Sequence, residues 1–438
     1  LAMVGSVDFF SETIKGQVNV ALMPRQPGSS IKPFTYLAAM EKGATPATMF
    51  WDRPTTFTNQ FGQKYTPVNY DGAFHGAVLM REALARSLNV PAVLAMDSIG
   101  LPAFMTMTAK VGIQFPPNPA YGLAVTLGGA EARLLDMTAG YAVIANGGVR
   151  NPATAISRVE RADGTLVRDY LTGFGEPAKA AAPTVEPQSA RARIESKAAA
   201  PTDAPRGKAQ VISPEHAWLI TSILSDDNAR AKSFGRGSIL NLKNRPAAVK
   251  TGTTNDFRDN LTLGFTPELV VGVWVGNTDN SEMKGTTGTT GAAPIWNQIM
   301  EDALKGKPVT QFVRPGNIVE REICIDGGHE PSPECPPDRR TKEFFKADQP
   351  PLPADAALER AARENNPVIA TQPPTPAANG DITVATPGNG VVRRAEALSI
   401  RGTVNPPGFE RYQVEFGAGD SPGDWRWISG PHLSPVVN

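Results

Sequence analysis

The sequence predicts an α+β fold, in which helices flank an antiparallel sheet. Four segments place apolar residues at helical spacing: 30–41, 79–86, 131–145 and 293–304. Three short runs have the composition of strands: 247–254, 261–265 and 269–275. The tight Thr-Pro-Glu turn between the last two runs favours antiparallel pairing. Helices and strands that occupy separate stretches of a chain are typical of the α+β class.

Length and composition bound the domain count and the partners. With 438 residues, of which 41% are hydrophobic, the chain should form two or three domains. Its 43 basic and 43 acidic residues balance, so the charge does not indicate a nucleic-acid partner, which a basic excess would favour. No run of about eighteen apolar residues occurs, so no segment is predicted to span a membrane.

The first residues, Leu1 to Gly5, have the pattern of the middle of a strand and lack the features of a signal peptide. We therefore expect the chain to begin partway through a domain. Any export signal or membrane anchor would then lie upstream.

The first predicted helix begins after a Pro-Gly pair. Ile31, Phe34 and Leu37 fall on one face, and Gly43 ends the helix. Pro33 lies in the first turn, where its missing N–H costs little. The helix predicted over 131–145 is ended in the same way, by two glycines.

Three segments differ in composition from this core. Residues 174–210 are rich in Ala and Pro and interrupt a domain predicted over 1–345, so we interpret them as a flexible insertion. Residues 346–378 have a similar composition and predict a linker. In 379–438, short alternating runs separated by Gly/Pro turns predict a small, incomplete Ig-like β-sandwich.

The two cysteines, Cys324 and Cys335, lie in a C-terminal extension of the first domain, residues 306–345. We interpret them as a loop-closing disulfide, which requires an oxidising, exported location. Two reduced thiols are the alternative. A metal site is poorly supported because His329 is the only further soft ligand nearby, so neither metal nor cofactor is predicted.

A candidate nucleophile opens the predicted helix that follows Gly28. Ser29 and Lys32 are three residues apart and therefore share a helix face, so the hydroxyl and the amine can meet. The positive potential at a helix N-terminus favours an alkoxide-like nucleophile. The pattern is weak alone, because Ser281 and Lys284 match it equally well.

Two further motifs follow the first in the chain. Ser87 and Asn89 come after the helix predicted over 79–86 and offer a hydroxyl for proton relay and an amide for a substrate carbonyl. The segment Lys250-Thr251-Gly252-Thr253 lies on a predicted strand. The missing side chain of Gly252 would let a substrate backbone lie along that strand, while Lys250 and Thr253 supply a cation and a hydroxyl for a carboxylate.

Order and local context make the three motifs specific, because each occurs in sequence on a suitable element. Together they are the motif set of penicillin-binding proteins and class A β-lactamases. Residues 25–34, 81–91 and 250–260 resemble the corresponding segments of class A penicillin-binding proteins. The resemblance covers residues 1 to about 345, and the tail more weakly resembles the C-terminal sandwich of the 1C type. The resemblance implies the penicillin-binding transpeptidase fold.

The resemblance also implies a role for each motif residue. Ser29 would attack the D-Ala-D-Ala amide of a peptidoglycan stem peptide, with Lys32 as base. Burial and the charge of Lys250 would lower the pKa of Lys32. Ser87 would relay the proton to the leaving amine and Asn89 would orient the substrate. The backbone N–H groups of Ser29 and Thr253 would form the oxyanion hole.

Further expectations concern partners and location. The resemblance implies stem-peptide donors and acceptors, β-lactam inhibitors and a place on the outer face of a bacterial membrane. It also implies a glycosyltransferase half, of which these residues carry no motif. Two features depart from the family pattern: Leu261 stands where relatives usually carry Trp, and the insertion is unusual. We expect the leucine to alter packing beside the site.

Other readings compete with this one. A Ser-His-Asp triad would need one of four histidines, none of which lies in a suitable elbow motif: His75, His216, His329 and His432. A β-lactamase would need a deacylating carboxylate, for which Glu131 is the nearest candidate. A carboxypeptidase would share every motif, as would a sensor that is acylated without turnover. Trp274 and Trp296 are predicted core residues.

Overall fold

The computed structural model of the chain describes residues 1–58, 64–118, 120–154, 156–169, 209–254, 257–364, 383–386, 401–403, 412–417 and 425–432. The helices in these ranges are α1 (Lys32–Glu41), α2 (Met80–Ala85), α3 (Asn89–Ile99), α4 (Leu101–Val111), α5 (Leu134–Ala145), α6 (Pro214–Leu224), α7 (Asp227–Phe234), α8 (Ala292–Leu304) and α9 (Ala356–Arg363). The strands are β1 (Pro24–Arg25), β2 (Met49–Asp52), β3 (Phe57–Thr58), β4 (Lys64–Tyr65), β5 (Gly76–Leu79), β6 (Ala132–Arg133), β7 (Val149–Arg150), β8 (Arg158–Glu160), β9 (Leu166–Asp169), β10 (Ala209–Gln210), β11 (Ala248–Thr253), β12 (Asp259–Phe265), β13 (Val270–Gly276), β14 (Ile318–Cys324), β15 (Arg340–Lys346), β16 (Thr383–Thr386), β17 (Arg401–Thr403), β18 (Tyr412–Gly417) and β19 (Trp425–His432).

The central sheet is three-stranded and antiparallel, in the order β11-β12-β13. Side chains alternate between its faces. Helix α8 covers one face, where the ring of Trp296 would lie 2.6 Å from a Cβ added to Gly264. On the other face, Leu263 and Phe265 join a larger core built mainly from helices. The strands and helix predicted between 247 and 304 are confirmed to within two residues at their ends.

Helix α1 lies at the centre of the helical side of the molecule. All its residues except Glu41 are buried, and it packs against α3, α4 and α6. A 3-10 turn, Gly28–Ile31, leads into it. The predicted helix over 30–41 is therefore confirmed, with its first residues wound more tightly.

Helices α3, α4, α6 and α7 were not predicted. In α3, the residues from Val90 to Ile99 are buried except Leu94, Asp97 and Ser98, so the sequence shows little of the polar face that reveals a helix. No single helix in the described residues is long and apolar enough to cross a membrane; α3 and α4 meet that requirement only as a bent pair.

Two predictions of secondary structure were wrong, one about a strand and one about the residue at which a helix begins. Leu1 to Gly5 form no strand, although the Gly5 carbonyl accepts a hydrogen bond from the Val20 N–H. The helix predicted over 131–145 begins at Leu134, because Ala132 and Arg133 pair with Arg25 and Pro24 instead.

The linker interpretation is wrong for the first part of 346–378. Residues up to 364 are packed: the Leu352 carbonyl accepts a hydrogen bond from the Glu330 N–H, and α9 is capped by the carboxylate of Asp355. The composition was misleading because the few apolar groups here pack against the extension. Residues 365–378 lie outside the described residues.

The insertion and the tail are only partly described. Residues 170–208 lie outside the described residues, while β10 pairs with β7. In the tail, β16 pairs with β17 and β18 pairs with β19, both antiparallel. The sandwich domain over 379–438 stays a prediction.

The extension contains a β14–β15 hairpin that packs against the helical side of the molecule. Cys324 and Cys335 are joined in a disulfide. Glu343 of β15 is 3% exposed and accepts two hydrogen bonds from Arg81 of α2, at 2.6 and 2.7 Å. Arg81 is six residues before Ser87, so the extension binds the helix that precedes the second motif.

Candidate active site

The turn that carries Ser29 lies against the sheet edge and is fixed by neighbouring groups. The Ser30 hydroxyl donates to the Pro27 carbonyl at 2.6 Å, and the buried Tyr141 hydroxyl donates to the Ser30 carbonyl at 2.7 Å. A Cβ added to Gly28 would lie 2.8 Å from the Thr253 nitrogen. Within the described residues the Ser29 hydroxyl has no hydrogen-bond partner, so it is not tied down by the fold.

Lys32 is fully buried and its amine reaches the second motif. It donates to the carbonyls of Ser87 at 2.7 Å and Leu88 at 3.0 Å, and to Asn89 Oδ1 at 2.7 Å. Burial, and then the positive charge of Lys250, hold the pKa of the amine well below its usual value. No hydrogen bond joins this amine to the Ser29 hydroxyl, because the three acceptors of the second motif already surround it.

Ser87 has a backbone conformation that few residues other than glycine adopt. Its φ is +64°, in the left-handed region. This conformation follows the end of α2 and precedes the start of α3, so the chain reverses sharply at Ser87. Non-glycine residues held in this region concentrate at functional sites.

Lys250 meets the Ser87 hydroxyl. Its amine donates to Ser87 Oγ at 2.7 Å and to the Thr251 carbonyl at 2.8 Å. Burial lowers the pKa of Lys250 to about 7. The two lysines therefore lie on either side of Ser87, one on its carbonyl and one on its hydroxyl.

Gly252 has a different role from the predicted one. A Cβ there would lie 2.2 Å from the Pro27 carbonyl oxygen. The missing side chain thus makes room for the turn that carries Ser29, Gly28–Ile31 (the Ser29 turn), and not for a substrate.

Lys250 and Thr253 lie on opposite faces of β11, because side chains alternate along a strand. The two can reach one ligand only at the edge of β11 that faces away from β12. Within the described residues no strand pairs with that edge. The Thr253 hydroxyl accepts a hydrogen bond from the Gly288 N–H at 2.9 Å.

The sequence did not reveal Asn69, which organises the second motif. Its Oδ1 accepts from the Asn89 N–H at 2.8 Å, and its Nδ2 donates to both carboxylate oxygens of the buried Asp52. Asn89 Nδ2 donates to the Val68 carbonyl at 2.8 Å, which leaves its second proton available. No local signal marks Asn69, because it lies in a loop 20 residues before its partner.

The competing nucleophile systems lack support in the described residues. Ser281 lies in an exposed loop and bonds to Asp279, far in sequence from a helix start. The rings of His75, His216 and His329 make no hydrogen bond to a serine hydroxyl, and the side chain of His432 lies outside the described atoms. Glu131 is exposed and makes no hydrogen bond to Ser29.

Among the residues that the structure describes, one group of side chains has the spacing of metal ligands: Cys324, Cys335 and Glu359. The two sulfurs are bonded to each other and are therefore not thiolates, the form that binds metal. The Glu359 carboxylate is occupied by the backbone N–H and the hydroxyl of Ser332.

Comparisons with known proteins identify the family of the chain. A family model described as the penicillin binding protein transpeptidase domain matches residues 1–301. The chain belongs to this family. Penicillin-binding protein 1A of Neisseria lactamica is 32% identical over 327 residues, which are 73% of this chain and 36% of that protein. Penicillin-binding protein 1C of Escherichia coli K12 is 30% identical over 329 residues, 74% of this chain and 36% of that protein. The chain thus spans little more than a third of the length of these relatives.

Solved structures show the penicillin-binding transpeptidase fold. Penicillin-binding protein 1A from Haemophilus influenzae matches with a TM-score of 0.62 and 27% identity, covering 78% of this chain and 51% of that one. PonA1 from Mycobacterium tuberculosis, solved in complex with penicillin V, matches with a TM-score of 0.52 and 23% identity over 68% of this chain and 73% of that one. The α+β prediction is confirmed.

The departure at Leu261 falls within the core of this penicillin-binding protein domain. Leu261 is 2% exposed and lies on β12 between Gly252 and Trp274 of the neighbouring strands. The Trp274 indole is partly buried; its N–H donates to Asp259, and its ring lies 5.3 Å from the Arg25 guanidinium. Trp296 is fully buried, as expected of a core residue.

Proposed function

We propose that the chain is a D,D-transpeptidase domain that crosslinks peptidoglycan stem peptides through an acyl-enzyme on Ser29, and that β-lactams acylate the same serine. The single observation that supports this most is the pair of 2.7 Å contacts from Lys32 to Asn89 and from Lys250 to Ser87. These contacts join three motifs that are far apart in sequence. The motifs surround Ser29, whose hydroxyl has no hydrogen-bond partner in the described residues.

In the acylation step, Ser29 Oγ attacks the carbonyl carbon of the penultimate D-Ala. Its proton passes to Lys32, which first loses one of its own protons together with one of its three hydrogen bonds to the second motif. The depressed pKa of the amine favours this neutral form, which a base requires. The N–H groups of Ser29 and Thr253 receive the developing oxyanion. Breaking the C–N bond then releases D-Ala, whose nitrogen takes a proton from Ser87 Oγ. Lys250, whose amine contacts that oxygen, reprotonates Ser87, and Lys32 keeps the proton of Ser29 until deacylation returns it.

The substrate lies along the free edge of β11. Its terminal carboxylate accepts from the Lys250 amine and the Thr253 hydroxyl, which approach the edge from opposite faces. The second Asn89 amide proton binds the substrate backbone. In the deacylation step, an amine of a second stem peptide attacks the ester, forms the crosslinking amide and regenerates the Ser29 hydroxyl.

The whole protein is proposed to act outside the cell membrane. The disulfide of the extension fits an oxidising compartment. PonA1, a protein with the same fold, has been solved with penicillin V bound. A membrane anchor and a glycosyltransferase half would lie in parts of the relatives that this chain does not span.

Covalent labelling with a fluorescent penicillin tests the nucleophile. Ser29→Ala should abolish labelling. Ser281→Ala, which changes the serine of the other Ser-x-x-Lys pattern, should be labelled like the parent protein. Labelling that survives in Ser29→Ala would disprove the assignment. Incubation with a pentapeptide donor and a tetrapeptide amine acceptor, followed by mass analysis, then separates the outcomes: dimeric product means crosslinking, tetrapeptide alone means a carboxypeptidase, and a stable adduct without turnover means a sensor.

A further inference from the structure

Thr262 is buried beside the active site, but its side chain faces away from Ser29. It lies in the middle of β12, opposite Thr251, and is fully shielded from solvent. Its hydroxyl donates to the Gly288 carbonyl at 3.1 Å. Gly288 belongs to the Gly/Thr-rich loop over residues 285–291, which lies on the same face of the sheet.

The peptide groups of Gly288 connect Thr262 to Thr253. While the Gly288 carbonyl accepts from Thr262, its N–H donates to Thr253 Oγ1 at 2.9 Å. Gly288 fits closely on the sheet, because a Cβ there would lie 2.7 Å from the carbonyl oxygens of Gly252 and Leu261. The Gly288 carbonyl has one further anchor, the Ala293 N–H at 2.9 Å.

This arrangement fixes which way the Thr253 hydroxyl can donate. An oxygen that accepts from Gly288 directs its own proton away from that N–H, and the β-branched side chain has few rotamers. Within the described residues the Thr253 hydroxyl has no acceptor of its own. Its proton is therefore available at the free edge of β11, where the proposed function places the substrate carboxylate.

We propose that Thr262 is a positioning residue for carboxylate recognition: through Gly288 it holds the Thr253 hydroxyl as a donor to the terminal carboxylate of stem peptides and β-lactams. This proposal rests on the proposed function. It predicts that Thr262 affects ligands with a free carboxylate and leaves the chemistry at Ser29 unchanged.

The test compares benzylpenicillin with its methyl ester, which lacks the carboxylate charge. Acylation rates of the purified protein are measured by intact-protein mass spectrometry. In Thr262→Val, which keeps the shape but removes the hydroxyl, acylation by benzylpenicillin should fall about five- to tenfold, because a hydrogen bond to a charged group is weakened while the Ala293 anchor remains. Acylation by the ester should stay within about twofold of the parent rate.

Two further variants serve as controls. Thr262→Ser keeps the hydroxyl and should restore the benzylpenicillin rate. Thr266→Val removes another buried threonine hydroxyl just beyond the same strand, where it accepts from the Glu268 N–H, and should change neither rate.

Each other outcome contradicts the proposal. Equal losses with both reagents would mean that Thr262 only supports the fold, and unchanged rates or a failed rescue by serine would mean that its hydroxyl does not matter. Failure of the parent protein to react with either reagent would instead overturn the proposed function.

Discussion

At the scale of single residues, the site depends on two buried lysines that both contact Ser87. Lys32 contacts the Ser87 carbonyl and Lys250 contacts the Ser87 hydroxyl. Burial depresses the pKa of both amines, and the charge of Lys250 depresses that of Lys32 further. Because like charges repel, the protonation states of the two amines are linked.

This link predicts that Lys250→Met shifts the pH dependence of the acylation rate. The substitution removes the charge and keeps a long apolar side chain. Without that charge, the Lys32 pKa rises toward its usual value. Less of the neutral base is then present at a given pH, so the acidic limb of the acylation rate should move to higher pH. The rate should be measured with benzylpenicillin methyl ester, because loss of Lys250 also weakens carboxylate binding.

An acidic limb at the same pH in Lys250→Met and the parent protein would contradict this coupling. Lys284→Met is a matched control, since Lys284 is exposed and belongs to the other Ser-x-x-Lys pattern. It should leave the whole profile unchanged.

At the scale of elements, the site depends on how closely the Ser29 turn approaches β11. Glycines on both elements allow the contact. A Cβ on Gly252 would meet the Pro27 carbonyl, and one on Gly28 would meet the Thr253 backbone. Gly128 contributes from a third segment, since its Cβ would lie 2.2 Å from the Gly28 nitrogen.

Gly252→Ala should therefore displace Ser29 relative to the Thr253 N–H, the oxyanion donor on β11. We expect at least a tenfold lower acylation rate, since small misplacements of reacting groups are costly, and a loss of about 1–3 kcal/mol in the free energy of unfolding from overpacking. Acylation kinetics and urea denaturation measure the two effects.

Gly122→Ala is the matched control for this substitution. Gly122 has a φ of −138° and no atom within 4 Å of an added Cβ. It should behave like the parent protein in both measurements. An unimpaired Gly252→Ala would show that the close contact is not needed.

At the scale of the whole molecule, the extension is joined to helix α2 by a buried ion pair. Glu343 is 3% exposed and binds Arg81 through two hydrogen bonds, while Arg81 also reaches Asp226. The hydrophobic cluster of Ala47, Leu79, Ile323 and Phe345 lies beside this pair. Removing one partner of such a pair leaves the other charge poorly compensated.

Glu343→Gln should lower the free energy of unfolding by about 2–4 kcal/mol, because Asp226 compensates Arg81 only in part. Chemical denaturation should show a lower midpoint at an unchanged slope.

Glu320→Gln breaks the exposed pair with Lys342 on the same hairpin and should cost less than about 1 kcal/mol. Equal midpoints for the two variants would mean that the Arg81–Glu343 pair does not hold the extension.

The sequence by itself determined the strands and helix between 247 and 304, helix α1 and the order of the three motifs, because these follow from local periodicity and residue type. It did not reveal α3 or the packing of residues 346–364, because burial on most sides hides the first pattern and a Pro-rich composition hides the second. Only the tertiary structure decided that Gly252 faces the Ser29 turn, that Asn69 holds the second motif and that Thr262 is hydrogen-bonded to Gly288. These relations depend on contacts between residues distant in the chain, and no local pattern encodes such contacts.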